Sequence, residues 1–587
     1  MSKRSHKFLF TLQRLAFVVF YSWFNARTEA AGPNEITGLW TSEWAVPSSA
    51  SGELTIEPKV SRWQARIAGL SATVQRDKGT ITFTLPHNAG EFRGRLINLR
   101  NIVGHWIQPA DQINNNRHAT PVELTQTGNN GWRGEVEPLE ARLTFCVSIH
   151  QVDNGSLTAV IRNPEFNLFR QNVYRVESRG STVKFSDTKD SSNNFEAKLD
   201  ANRAQFVAHL PNVDGELVFK KQETGPQVDY KYRKPAEIDD GWATADLNDV
   251  GLDPEQIAQL IRQILNADPV NNPIKIHSLL IARRGKLALE EYFSGSTREQ
   301  PHTMRSASKT FAPLLVGIAH ERGANVHIDT LVYAQFREYK ETANPDPRKS
   351  KITVRDLMTM TSGFACDDND ENSPGNEDVM QRQMAQLDWY KYTLDLPMAR
   401  DPGGDQAVYC TAGINLLGGI VRNATHTWLL EFFYENVARP LQIKTYHWNL
   451  MPNGDGYAGG GLYLRPRDQL KLGQLYLNDG VWNGKRVVSK DWVEKSIFRQ
   501  STFGKTFGAD HDYGYGWHLY HFEVGGRSYR AYAAGGNGGQ IVMVIPDLDL
   551  VVGFTGGAYG EFAKWYRWQT ELVPQFIIPA AASTPVH

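Results

Sequence analysis

The chain is 587 residues long, room for two or three domains at roughly 150 residues or more each. With 41% hydrophobic and 22% charged residues it has ordinary globular chemistry, which excludes disorder, a collagen-like repeat and a polytopic membrane protein. Lysine plus arginine number 63 against 64 aspartates plus glutamates, so a net charge of -1 leaves no basic footprint for nucleic acid, and three cysteines are too few for a disulfide scaffold.

Lys3, Arg4, His6 and Lys7 precede an apolar run from Phe8 to Phe24, broken at Gln13 and Arg14, with small residues at Ala30-Ala31-Gly32. A basic start, a short apolar middle and a small-residue patch read as an export signal over 1–31, although Thr28 and Glu29 fit a cleavage site poorly; a buried or interfacial helix is the plainer alternative. The expected location is therefore periplasmic or secreted, or anchored by an uncleaved N-terminal segment. No later stretch approaches the ~20 apolar residues of a spanning helix.

From 33 to 221 the pattern is short and alternating, as in Gly52-Glu53-Leu54-Thr55-Ile56 and Leu143-Thr144-Phe145-Cys146-Val147. It predicts one all-β domain, a lipocalin-like barrel or a sandwich, with Trp40, Trp63, Trp106 and Trp132 as core. Residues 222–245 are polar and mixed, as a linker would be. The domain from 246 to 577 is mixed α/β. It begins with a helix after Asp253-Pro254 and a hairpin, Ile276 to Ala282 with Leu287 to Phe293. It closes with a second hairpin, Ile541 to Ile545 with Leu548 to Phe554, and an aromatic-rich helix around Phe562 to Val573. Hairpins at both ends predict a central antiparallel sheet assembled from the two ends of the domain, with helices packed on it.

Ser306 and Lys309 lie three apart in Arg305-Ser306-Ala307-Ser308-Lys309-Thr310-Phe311, on one face of a predicted helix that continues through Leu314, Leu315 and Ile318. A serine hydroxyl needs a base to become a nucleophile, and a lysine at the edge of an apolar helix loses its charge easily enough to act as one. Pro313 is expected to bend or break that helix. The spacing alone is a weak signal, because Ser181/Lys184 and Ser186/Lys189 repeat it in a polar stretch.

The order of several further segments is more specific. Val354 to Gly363, Tyr409-Cys410-Thr411-Ala412-Gly413, Gly459-Gly460-Gly461-Leu462-Tyr463, Tyr513-Gly514-Tyr515-Gly516-Trp517 and Ala534-Gly535-Gly536-Asn537 follow the serine segment in that sequence. From about 252 to 557 the chain resembles the serine hydrolases that include class C β-lactamases, penicillin-binding D,D-peptidases and related esterases and amidases. The resemblance implies a β-lactamase-like fold, with Ser306 as nucleophile and Lys309 and Tyr409 managing its proton, the lysine ammonium lowering the pKa of the phenol. It implies an oxyanion hole from the backbone N–H groups of Ser306 and Asn537, and substrate contacts at Thr411, Gly535 and Gly536. The reaction so implied is acyl transfer to Ser306 and hydrolysis by water, with no metal and no cofactor.

Two departures bear on substrate. Thr411 stands where many relatives carry Asn, and Ala534 stands where β-lactamases and D,D-peptidases carry a cation for the substrate carboxylate. Unless an arginine elsewhere compensates, the resemblance is closer to the esterases and linear-amide hydrolases than to enzymes of β-lactams or cell-wall peptides. A β-lactamase or D,D-/D-aminopeptidase is the alternative, and a non-catalytic receptor on the same fold a further one. The expected partner is a small-molecule or short-peptide ester or amide, with no nucleic acid and no polytopic membrane insertion.

Cys410 follows Tyr409, and Cys366 lies just past the Ser362-Gly363 turn that should border the same cleft. Export would permit a Cys366–Cys410 disulfide; two buried free thiols are the alternative, and Cys146 is left unpaired. Asp367, Asp368, Asp370 and Glu371 read as a solvated acidic loop rimming the cleft and disfavouring anionic substrates, since they lack the spacing of a calcium loop.

Overall fold

The computed structural model describes residues 33–582, apart from 47–48, 60–61, 112–114, 129–130, 153, 166, 168–171, 212, 214, 223–229, 268–273, 383–386 and 507–508. The expected export segment and residues 223–229 of the expected linker lie outside the described residues. Among the described residues no helix is long and apolar enough to cross a membrane.

The chain divides into two compact units. The first contains a closed eight-stranded barrel of Gly38–Val46, Ala141–Gln151, Leu157–Arg162, Val173–Arg179, Thr182–Asp187, Phe195–Leu199, Gln205–Ala208 and Leu217–Lys221. The first and last strands seal it, pairing antiparallel at Trp40↔Lys221. Side chains alternate as a pleated wall requires: Phe195, Ala197 and Leu199 are buried while Glu196 and Lys198 face out. Rings pack through the interior, with centroids 4.5 Å apart for the stacked Phe185–Phe195, 4.7 Å for the stacked Phe206–Phe219 and 4.9 Å for the tilted Trp40–Phe206.

The second unit holds residues 46–141, 232–260 and 276–587. Its first eight strands, from Gly52–Pro58 to Trp132–Val136, pair in chain order. The last of them bonds both to Gly52–Pro58 and to Arg117–Gln126, so this set also closes on itself. Trp106 and Trp132 are buried in it, and the half-buried Trp63 stacks on Trp132 at 4.8 Å. The single all-β domain expected over 33–221 is therefore two closed strand sets. The second is continuous with the rest of its unit, because Arg117–Gln126 also pairs with Tyr446–Leu450 (Trp448↔Ala119). Strands of one chemistry carry no mark of a partner more than 300 residues away.

The main sheet has nine strands in the order Ala243–Thr244, Lys286–Tyr292, Ile276–Arg283, Leu550–Gly556, Gln540–Ile545, Arg527–Gly536, His518–Val524, Ala509–Tyr513 and Ser501–Thr506. All pairings are antiparallel except that of Ala243–Thr244. Every residue of Ile276–Arg283 and Gln540–Ile545 is buried, as expected of strands covered on both faces. Helix Pro466–Leu477 packs so tightly on the sheet that a Cβ at Gly473 would come within 2.5 Å of Val551. The apolar helices Phe311–Glu321 and Thr411–Thr425 pack on each other.

Three expectations change. Residues near 240, read as linker, are packed: Trp242 is buried and donates from Nε1 to Arg467 O at 3.0 Å, while Arg467 bonds Asp240 at 3.1 Å. The helix expected to start at Ser306 begins at Phe311, after tighter 3-10 turns over Arg305–Thr310. Pro313 thus falls in the first turn, where an N–H finds little use, and it does not break the helix. The closing helix begins at Phe562 and runs on to Ala582 through wider turns that accommodate Pro574.

Candidate functional site

The 3-10 winding brings Ser306 and Lys309 together, because residues three apart eclipse in that helix. Lys309 Nζ donates to Ser306 Oγ at 2.7 Å. The lysine is 1% exposed, and burial pushes its pKa below the ordinary lysine value, opposed by the charges of Glu377 and Asp368. From the segment leading into helix Thr411–Thr425, the Tyr409 hydroxyl bonds to Ser306, and Lys309 Nζ lies 5.1 Å from its ring centroid.

The phenol is not poised as expected. Burial raises the Tyr409 pKa above its ordinary value, and the Ser306 hydrogen bond offsets this only in part. Burial thus moves both groups toward their uncharged forms, the lysine toward the amine and the tyrosine toward the phenol.

Cys366 and Cys410 are joined, with an S–S distance of 2.03 Å, and Cys146 is free and buried. The bond ties the Tyr409 segment to the acidic loop, where Asp368 N–H also donates to Tyr409 O at 2.9 Å. The loop is not uniformly solvated. Asn369, Asp370 and Glu371 are exposed, but Asp368 turns inward. Its Oδ2 accepts from Thr411 N at 2.9 Å and Thr411 Oγ1 at 2.5 Å, and its Oδ1 accepts from Glu377 N at 2.9 Å. Burial raises Asp368 to about 6, although Lys309 and the Thr411 bonds pull the other way. Thr411, expected as a substrate contact, is fully buried with its hydroxyl given to Asp368, so it clamps the loop to a helix start.

Strand Arg527–Gly536 passes directly against the serine turn. A Cβ at Gly536 would lie 2.4 Å from Met304 O and 2.9 Å from Ala307 N, so only glycine allows this approach. Gly535 is half-exposed, and the exposed Asn537 accepts from Gly560 N through Oδ1 at 2.9 Å. Ala534 is buried and uncharged.

Sequence reasoning missed His518. It pairs in register with Ala533, its ring is parallel to Tyr409 with centroids 6.5 Å apart, and its Nε2 would lie 3.9 Å from a Cβ at Gly535. Its Nδ1 shares a 2.7 Å hydrogen bond with His511 Nε2, and His511 Nδ1 shares one of 2.8 Å with Thr506 Oγ1. Burial, with His511 and Lys309, holds His518 well below the usual histidine range. Only the strand register could have revealed it. A polar cleft of about 690 Å³ bounded by Gln335, Arg422, Trp428 and Asp455 includes none of these residues.

Residues 274–561, which span the serine turn, the tyrosine segment and the glycine strand, match the family model described as Beta-lactamase. This segment is a Beta-lactamase-family domain. The family's members are hydrolases of the β-lactamase fold, with esterase, amidase and D-Ala-D-Ala peptidase relatives. The chain is 25% identical over 243 residues to the 6-aminohexanoate-dimer hydrolase of Paenarthrobacter ureafaciens, covering 38% of this chain and 56% of that protein. It is 24% identical over 234 residues to the D-alanyl-D-alanine-carboxypeptidase/endopeptidase AmpH of Escherichia coli K12, covering 35% and 58%. It thus spans little more than half the length of these curated relatives. Among solved structures, simvastatin synthase of Aspergillus terreus aligns at 17% identity over 57% of this chain and 99% of that one, with a TM-score of 0.44. A family VIII carboxylesterase aligns at 16% identity over 54% and 93%, with a TM-score of 0.41.

Proposed function

We propose that the Beta-lactamase-family domain is a serine hydrolase that cleaves an ester or amide through an acyl-enzyme on Ser306. The observation that carries this reading is the 2.7 Å bond from Lys309 Nζ to Ser306 Oγ, with the Tyr409 hydroxyl on the same oxygen. Lys309, in its amine form, takes the serine proton as Oγ attacks the carbonyl carbon. The backbone N–H groups of Ser306 and Asn537 hold the resulting oxyanion. The carbonyl's bond to the leaving amine or alcohol then breaks. Tyr409 protonates that group and is reprotonated by the Lys309 ammonium. Water cleaves the acyl ester by the same base and releases the acid and free Ser306. The 6-aminohexanoate dimer and D-alanyl-D-alanine peptides, on which the similar proteins act, are the candidate substrates. The Cys366–Cys410 bond supports an oxidising compartment, and we propose export on that ground.

Intact-mass analysis with p-nitrophenyl esters and a fluorophosphonate tests this. The expected result is a single adduct on Ser306, absent in Ser306→Ala together with turnover. Unchanged hydrolysis in that variant would falsify the assignment.

A further inference from the structure

Arg305 immediately precedes Ser306 and has φ +47°, in the left-handed region that an arginine seldom adopts. Its backbone is pinned there. The N–H donates to Thr303 Oγ1 at 3.2 Å, and the carbonyl accepts from the Ser308 hydroxyl at 2.5 Å.

The side chain is uncommitted. Its guanidinium has no hydrogen-bond or ion-pair partner among the described residues, and Nε is shut off from solvent. The charge rests on the Tyr559 ring, 5.0 Å from the centroid, among Tyr463, Glu377 and Tyr457. Glu377 also acts on Lys309, so the guanidinium and the amine share a neighbour at the serine. That carboxylate already accepts from the Tyr457 hydroxyl at 2.5 Å and from Gln381 Nε2 at 3.1 Å.

The two fully buried arginines, Arg467 and Arg283, have their acceptors within the fold. Arg467 bonds Glu290 at 2.6 Å and Asp240 at 3.1 Å, and Arg283 donates to the carbonyls of Leu548, Gly251 and Ala581. The Arg305 side chain is half-buried with Nε enclosed, and the planar fork of an unpaired guanidinium matches a carboxylate.

We propose that Arg305 binds a carboxylate carried by the substrate, which makes the substrate an ester or amide with a free carboxylate near the scissile bond. This rests on the Ser306 reading above. The cation missing at Ala534 is supplied from the nucleophile's own turn. Asp368 is engaged by Thr411 and Glu377 N, and Glu377 by Tyr457 and Gln381, so neither carboxylate hydrogen-bonds the guanidinium.

The test uses two fluorophosphonates with matched alkyl tails, one ending in a methyl group and one in a carboxylate. In each, Ser306 Oγ bonds to phosphorus, fluoride leaves and Lys309 takes the proton. The full-length protein should be labelled faster by the carboxylate reagent. Arg305→Gln should lose that preference by roughly 10- to 100-fold, the scale of a charge-assisted pair, while labelling by the neutral reagent changes less than about threefold. Arg305→Lys, which keeps a cation on the same backbone, should retain an intermediate preference and serves if Arg305→Gln does not fold. Equal labelling of the wild-type protein by both reagents, or equal slowing of both in the variants, overturns the role of Arg305 and leaves the hydrolase reading standing. No labelling of Ser306 by either reagent defeats that reading and this inference with it.

Discussion

The eight-stranded barrel of the first unit and the surroundings of Ser306 bury side chains to opposite ends. In the barrel, Phe185, Phe195, Phe206 and Phe219 pack ring against ring, and the free thiol of Cys146 is pushed up to about 12, where it stays protonated and inert. Around Ser306, burial falls on Lys309, Tyr409 and Asp368, displacing all three from their ordinary pKa values. Desolvation contributes stability in the first region. In the second it costs stability and leaves a base beside an alcohol.

The largest test of this contrast is Lys309→Met. It should lower turnover by ~100- to 10,000-fold, the usual range for a lost general base, while the melting temperature holds or rises because a buried amine is replaced by an apolar chain. A large fall in both would make Lys309 a structural residue. Phe185→Ala should do the reverse, destabilising by about 3–5 kcal/mol in chemical denaturation with turnover per folded molecule unchanged. Replacing Cys366 and Cys410 by serine opens a loop of sequence separation 44. It should cost about 2–4 kcal/mol and lower kcat, since Tyr409 and Asp368 both hang on that link.

Asp368→Asn should have the smallest effect, read in pH. Folding raises the Asp368 pKa from 3.8 to about 6, so the protonated form contributes stability that is full below the unfolded value and lost as pH rises through about 6. The variant should therefore gain more in melting temperature relative to wild type at pH 7 than at pH 4. It also removes a charge that favours the Lys309 ammonium, so the acid limb of the kcat/KM profile should move to lower pH. A shift to higher pH would show that Asp368 acts on Lys309 through something other than its charge.

Much of this protein was legible in local pattern. Period-two alternation marked the strands, the two hairpins marked the main sheet, and the three-residue spacing of Ser306 and Lys309 survived the replacement of an α-turn by a 3-10 turn. Tyr409 came from motif order, not from any property of the tyrosine. The stretch near 240 misled because its charges look like a solvated linker; Asp240 finds Arg467 only in the folded chain. Asp368 misled in the same way, as one member of an acidic run whose neighbours are exposed.

Composition and short-range spacing by themselves determined the element types, the mixed architecture and the candidate nucleophile, because those depend on neighbours within a turn or two. Tertiary structure alone decided that the β-rich half is two closed strand sets, that Thr411 serves Asp368, that His518 faces the glycine strand and that Arg305 is left without an acceptor. Each of these depends on which distant groups meet and on how much water remains between them, and the linear order of residues encodes neither directly.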